Sequence, residues 1–259
     1  MADIQFLSRY FRQPELGRAL HAYAVNIGDA GWPVKDKFAL YSLSAKVGNP
    51  ALCDDDRFRS FEQIYKTLSS GAWRAMRSRT KKKDLVRFTA REAYNALNQY
   101  VSAFSLPSGR DLLNLSINDH SALVSAILPL KGIKRNKHYP IMAVSKFLHF
   151  YNPRLFPIWD NAVVDKKVFV RFWDDHVNFC SANNLRASAN GAEFLANYVC
   201  WASELVLGAG PDYMSLFLDW LEDEMPPRIF RNIDTDATEK LYAVAFEITA
   251  IGATFLPPS

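Results

Sequence analysis

The sequence predicts an all-α fold of two packed helical halves, treated as one unit over residues 1–259. Apolar residues recur at helical spacing along most of the chain, and no series of alternating, turn-bounded segments indicates a sheet. Glycine and proline clusters separate the helical stretches. A chain of 259 residues with 49% hydrophobic and 14% aromatic residues can also bury a substantial core.

The first half of the chain predicts four helices, over residues 15–26, 34–47, 56–69 and 89–104. A turn from Gly28 to Pro33 is expected between the first two, because both residue types interrupt helices. The second half predicts helices over 121–128, 138–150, 161–172, 191–207, 212–224 and 236–252. The run Val168-Phe169-Val170 is the one stretch that we expect to be compatible with a strand.

The helix over residues 138–150 carries an unusual polar seam. Apolar side chains cover most of its circumference, which predicts a buried helix. Met142, Ser145, Lys146 and His149 nevertheless fall in one narrow sector at about 3.6 residues per turn. A buried lysine must be paired or face a cavity, so this sector is a candidate site.

A connector that contains two prolines follows this helix and leads to a single acidic residue, Asp160. Asn152-Pro153 ends the helix, and Pro157 ends a short extended stretch that delivers Trp159 and Asp160 to the start of another helix. Asp160 has two interpretations. It is either an N-cap, stabilised by free N–H groups, or a functional acid.

Positive charge is concentrated in two clusters, although the formal net charge is only +4. Residues 73–91 contain eight basic residues and one acid, and the second cluster lies over residues 131–137. Residues 204–239 are acidic. This asymmetry favours a polyanionic ligand, the other interpretation being a solvated surface or a disordered loop.

Several function classes lack support. No apolar run approaches the roughly 18 residues of a membrane span, and the N-terminus lacks a signal-peptide pattern, so we expect a cytoplasmic protein without membrane contact. The three cysteines show no C-x-x-C spacing, which excludes a four-cysteine iron–sulfur cluster. Nucleotide and metal motifs are missing as well, and no metal or cofactor is expected.

The middle of the chain resembles the helix-hairpin-helix superfamily of DNA glycosylases, in which a Leu-Pro-Gly-Val/Ile-Gly hairpin precedes a buried helix and a Pro-Val-Asp connector. Here residues 130–133 (Leu-Lys-Gly-Ile) match the hairpin and residues 157–160 (Pro-Ile-Trp-Asp) match the connector. The residues 145–150 and 156–160 are also similar to bacterial proteins with the 8-oxoguanine glycosylase fold. Lys131 and Lys134 depart from the hairpin pattern, residues 135–138 form a small insertion, and Trp159 is an extra residue.

The resemblance implies a helix-hairpin-helix segment over about 119–150 and a catalytic segment over about 151–172. Asp160 would be catalytic. Lys146 would pair with an acid, contact a phosphate or act as an amine nucleophile, and we favour a monofunctional enzyme. Trp159, His149, Ser145 and Tyr151 would line the substrate pocket. DNA-backbone contacts would come from Lys131, Gly132, Lys134, Arg135, Lys137, Lys81, Lys82 and Lys83.

The expected partner is double-stranded DNA with a damaged or modified base, bound by a monomer. Some relatives are associated with defence against phages that carry modified bases. The resemblance implies the same role for this chain as an expectation. Two other interpretations stay open. One is a non-catalytic helical DNA-binding module, and the other is a helical interaction protein that uses its acidic, aromatic segment Asp212–Glu224.

Overall fold

Helices make up the regular structure of the chain. The computed structural model describes residues 7–31, 34–69, 89–101, 111–133, 139–159, 167–187, 191–224 and 242–257. These ranges contain ten α-helices and no strand, so the all-α prediction is confirmed. The hairpin geometry and the division into two halves stay predictions.

The helices are numbered in chain order. They are α1 (Glu15–Gly31), α2 (Val34–Gly48), α3 (Asp54–Ser69), α4 (Ala90–Tyr100), α5 (His120–Ile127), α6 (Ile141–Tyr151), α7 (Val170–Ala182), α8 (Ala192–Ala209), α9 (Tyr213–Glu224) and α10 (Tyr242–Ala253). Short 3-10 segments cover Leu7–Phe11, Ile117–Asp119 and Leu128–Ile133. Most predicted helices are therefore present, with shifted ends.

Local chemistry explains where α4 begins. The Thr89 side chain accepts a hydrogen bond from the Glu92 backbone N–H at 3.2 Å, and the Glu92 carboxylate accepts one from the Thr89 N–H at 2.6 Å. This capping box satisfies two N–H groups that have no partner inside the helix. The hydrogen bond from the Thr89 backbone N–H and, secondarily, that from the Thr89 side chain lower the pKa of Glu92.

One prediction about local structure is wrong, and one alternative is decided in favour of the helix predicted over residues 161–172. Residues 28–31, placed in a turn, continue α1 to Gly31, because its packing along α10 outweighs the weak helix propensity of glycine. The run Val168–Val170, allowed as a strand, winds into a helical turn that leads into α7. Val168 and Phe169 are buried there, so tertiary packing rather than β-propensity determines the conformation of this run.

The ends of other helices also differ from prediction. The helix predicted from residue 138 begins at Ile141, because Pro140 occupies its N-cap position and restricts the residue before it. α4 ends at Tyr100, α10 is observed from Tyr242, and α7 continues to Ala182, beyond the end predicted at residue 172. The remaining predicted stretches, 102–104, 161–166 and 236–241, lie outside the described residues.

The buried apolar residues of the described ranges form one continuous cluster that reaches every helix discussed below. Within it, α1 and α10 cross closely. A Cβ atom added at Gly252 would lie 2.0 Å from the backbone oxygen of Ala19. Glycine is therefore required at this crossing, because any side chain would force the two backbones apart. Among the described helices, none combines the length and apolar character needed to cross a membrane.

Candidate active site

The predicted polar seam of α6 is buried. Ser145 and His149 are completely inaccessible, and Lys146 is 6% exposed. The apolar neighbours Val144, Phe147 and Leu148 are buried as well, so the prediction that this helix is buried is confirmed. Because buried polar groups must be hydrogen-bonded, the hydrogen-bond partners of these side chains show which part of the chain they hold in place.

Ser145 binds the end of the connector, which we define as residues 152–159. Its hydroxyl oxygen accepts a hydrogen bond from the Trp159 backbone N–H at 3.0 Å. The one hydrogen of this hydroxyl lies between two acceptors, the Trp159 carbonyl oxygen at 3.1 Å and the Met142 carbonyl oxygen at 3.2 Å. One side chain of α6 thus fixes both backbone polar groups of the residue that precedes Asp160.

His149 binds the middle of the connector. Its Nδ1 lies 2.7 Å from the Phe156 carbonyl oxygen and 3.4 Å from Glu247 Oε1. Because a carbonyl oxygen can only accept, Nδ1 carries the proton. Nε2 lies 2.9 Å from the Tyr41 hydroxyl of α2. The imidazole therefore connects the connector to α2 on one side and to α10 on the other.

Glu247 of α10 is a buried carboxylate, with 7% of its surface exposed. It accepts a hydrogen bond from the backbone N–H of Ile158. The carbonyl oxygen of Ile158 accepts another hydrogen bond, from the Tyr198 hydroxyl of α8 at 3.3 Å. Together with Ser145, these side chains bind all four backbone polar groups of Ile158 and Trp159.

We call Ser145, His149, Tyr198 and Glu247 the connector clamp. They come from α6, α8 and α10, so three helices hold the last residues before Asp160. Burial and, secondarily, the negative charge of Glu247 raise the pKa of Tyr198 well above its usual range. Tyr198 therefore keeps its proton and stays a hydrogen-bond donor at any physiological pH.

Aromatic rings surround Trp159. Its ring centroid lies 4.6 Å from that of Phe169, 4.8 Å from Phe194 and 5.4 Å from Tyr198, all in edge-to-face geometry. Trp173, 5.9 Å from Phe169, is 39% exposed and carries this cluster to the surface. Trp159 itself is 6% exposed, so these rings hold its side chain within the buried core.

His176 and Cys180 lie in the same aromatic cluster but do not form a catalytic pair. The Cys180 sulfur is 3.7 Å from His176 Nε2. Burial lowers the pKa of His176 to about 4 and raises the pKa of Cys180 to about 11. Near neutral pH both groups are uncharged, so this cysteine is not an activated nucleophile.

His176 should make the protein sensitive to mild acid. Because its pKa is about 4 in the folded state and about 6.5 when unfolded, the unfolded chain binds the extra proton as the pH falls through this window. We expect the free energy of unfolding to fall by about 2 kcal/mol from this group between about pH 7 and pH 5. Urea denaturation of His176→Phe should lack that part of the pH dependence. An unchanged pH profile in the variant would contradict the assignment.

Other predicted site residues have separate positions. The hydroxyl of Tyr151 donates a hydrogen bond to Asn98 Oδ1 of α4 at 2.6 Å. Lys131 is exposed and Gly132 is half-buried, both in the 3-10 segment after α5. Asp160, Lys134, Arg135, Lys137, Lys81, Lys82 and Lys83 lie outside the described residues.

Three members of this site were missed by reasoning from the sequence: Glu247, Tyr198 and Tyr41. The tyrosines gave no distinguishing signal among many aromatic residues. Glu247 did give one, since it is the only charged residue of α10, an otherwise apolar helix. The argument that singled out Lys146 in α6 applies equally to this carboxylate.

Comparisons of the chain with protein-family models, with curated proteins and with solved structures gave no significant match. The glycosylase resemblance therefore depends on the residues quoted in the sequence analysis.

Proposed function

We propose that the protein is a monofunctional DNA glycosylase that hydrolyses the N-glycosidic bond of a flipped-out damaged or modified base. The observation that carries this proposal is the connector clamp. It immobilises the backbone of Ile158 and Trp159 and leaves Asp160 as the next residue in the chain. Catalytic acids require such support, because a group that moves by about 1 Å loses much of its effect.

The chemistry needs one well-placed carboxylate. When the bond to the base breaks, positive charge develops at C1′ of the sugar. Asp160 would stabilise this charge and orient or deprotonate the attacking water. Lys146, buried next to Ser145 in α6, would hold the carboxylate or a DNA phosphate in place.

Binding would use the two basic clusters and the aromatic residues. The lysines and arginines of residues 73–91 and 131–137 would contact the DNA backbone, with a salt dependence that reflects the number of phosphates neutralised. Extruding a nucleotide costs a few kcal/mol, which stacking against aromatic side chains offsets. Trp173, which is 39% exposed at the edge of the aromatic cluster around Trp159, would supply such a surface.

The substrate class can be tested directly. Purified protein would be incubated with duplex DNA that contains oxidised or alkylated bases and with phage DNA that contains hypermodified bases. Released bases and abasic sites would be quantified by mass spectrometry. We expect release from one of these classes and none from unmodified DNA. Release only from phage DNA would support a role in antiviral defence.

The same experiment separates the second candidate, a non-catalytic DNA-binding module. The basic hairpin residues Lys131 and Lys134, which replace the proline and glycine of the glycosylase pattern, favour this candidate. Salt-dependent duplex binding without release of any base would select it. Failure to bind DNA even at low salt would overturn both candidates.

A further inference from the structure

We infer that Glu247 is a positioning residue for the proposed reaction, acting on Asp160 through the backbone N–H of Ile158 and through His149. This inference rests on the proposed glycosylase function. Glu247 lies in α10, about ninety positions after the connector in the sequence, and nothing in the glycosylase resemblance includes it. Its role follows from where its carboxylate is bound.

The first step of the argument is the cost of burying Glu247. The carboxylate is 7% exposed on a helix whose neighbouring residues Phe246 and Ile248 are buried and apolar. A buried carboxylate carries a desolvation penalty, which only its hydrogen-bond and charge partners can offset. The reason for an acid at this position therefore lies in the groups that it binds and not in the packing of α10.

The second step is the choice of partners. One carboxylate oxygen, Oε1, accepts the hydrogen bond from the Ile158 N–H and lies 3.4 Å from His149 Nδ1. His149 in turn holds the Phe156 carbonyl oxygen. Glu247 thus fixes one point of the connector directly and a second point through the imidazole. Both points are within four residues of Asp160.

The third step is closeness along the chain. Ile158, bound by Glu247, and Trp159, bound by Ser145, are the last two residues before Asp160, so their backbones set the direction in which the chain reaches it. Misplacement of a reacting group by about 1 Å can cost about 100-fold in rate. Loss of the Glu247 contact should therefore reduce the rate of the chemical step with little effect on DNA binding.

Two substitutions separate the hydrogen bond from the charge. In Glu247→Gln the side-chain carbonyl can still accept from the Ile158 N–H, but the negative charge beside His149 is lost. Glu247→Ala removes both. We expect single-turnover base release to slow by about 100-fold in the alanine variant and by less in the glutamine variant. The dissociation constant for duplex DNA should change by less than about twofold in both.

Thr249→Val is the matched control. Thr249 is fully buried on the same helix, and its hydroxyl lies 2.9 Å from the Tyr213 hydroxyl, away from the connector. The control therefore loses a buried hydrogen bond of α10 without touching the clamp. Its base-release rate should match the wild type. An equal slowing in Thr249→Val would mean that Glu247 is merely structural, and it would overturn the inference.

A second readout does not require enzymatic activity. Amide hydrogen exchange of Ile158, measured by NMR on the full chain, should accelerate at least about tenfold in Glu247→Ala relative to Thr249→Val, because its acceptor is lost. Wild-type exchange at Ile158 in the alanine variant would overturn the inference, as would a wild-type rate of base release. Absence of base release from the wild type itself, by contrast, overturns the proposed function.

Discussion

Replacing Asp160 by asparagine is expected to lower the rate of base release by about 1000-fold while leaving the affinity for duplex DNA unchanged. Asparagine has the same shape, but it cannot stabilise a sugar cation with a full negative charge or accept a proton from water. Single-turnover kinetics on the substrate identified by mass spectrometry would measure the rate. Gel-shift titration would measure the affinity.

This substitution also distinguishes the two interpretations of Asp160. Asparagine and aspartate are about equally good N-cap residues, so an acid that only caps a helix should tolerate the change with little loss of stability or function. Asp54→Asn is the control for losing a carboxylate at a helix start, since Asp54 begins α3, accepts a hydrogen bond from the Tyr94 hydroxyl at 2.9 Å and lies 3.4 Å from Arg91. It should release bases at the wild-type rate. Base release at the wild-type rate by Asp160→Asn would rule out the catalytic assignment.

Gly252→Ala is expected to destabilise the protein by about 3 kcal/mol, the upper end of the usual range for overpacked cores. The added methyl group would lie 2.0 Å from the backbone oxygen of Ala19. A backbone atom cannot rotate away as a flexible side chain does, so α1 and α10 must separate. Urea denaturation monitored by circular dichroism would measure the loss.

Gly17→Ala is the matched substitution on the partner helix. Gly17 is exposed in α1, and its added Cβ would meet only the Gln13 side chain, at 3.8 Å. Alanine should therefore stabilise α1 by about 0.5–1 kcal/mol through its better helix propensity. If Gly17→Ala also lowered the free energy of unfolding, the close helix crossing at Gly252 would not be the cause of the loss in Gly252→Ala.

Sequence periodicity predicted the elements that depend on local information. The stretch over residues 56–69 became α3, and the stretch over residues 212–224 became α9, each within two residues at both ends. The same reasoning identified Ser145, Lys146 and His149 as a polar group on a buried helix, which the burial of all three confirms. A helical period specifies both the element and the face that it buries.

Features that depend on contacts between distant segments could not be predicted in this way. The continuation of α1 through Gly28 depends on the packing of α1 along α10. Likewise, the hydrogen bond that joins Glu247 to Ile158 links residues 89 positions apart. Single-sequence patterns carry no record of such pairings.

The connector clamp limits how the proposed chemistry could be moved to another protein. The segment from Met142 to Val164 includes Ser145 and His149 but leaves behind Tyr198 and Glu247. Transplanted into a different helical scaffold, it would bring the acid without the hydroxyl and carboxylate that hold Ile158. A designer who wished to reuse the motif would need to graft portions of three helices together.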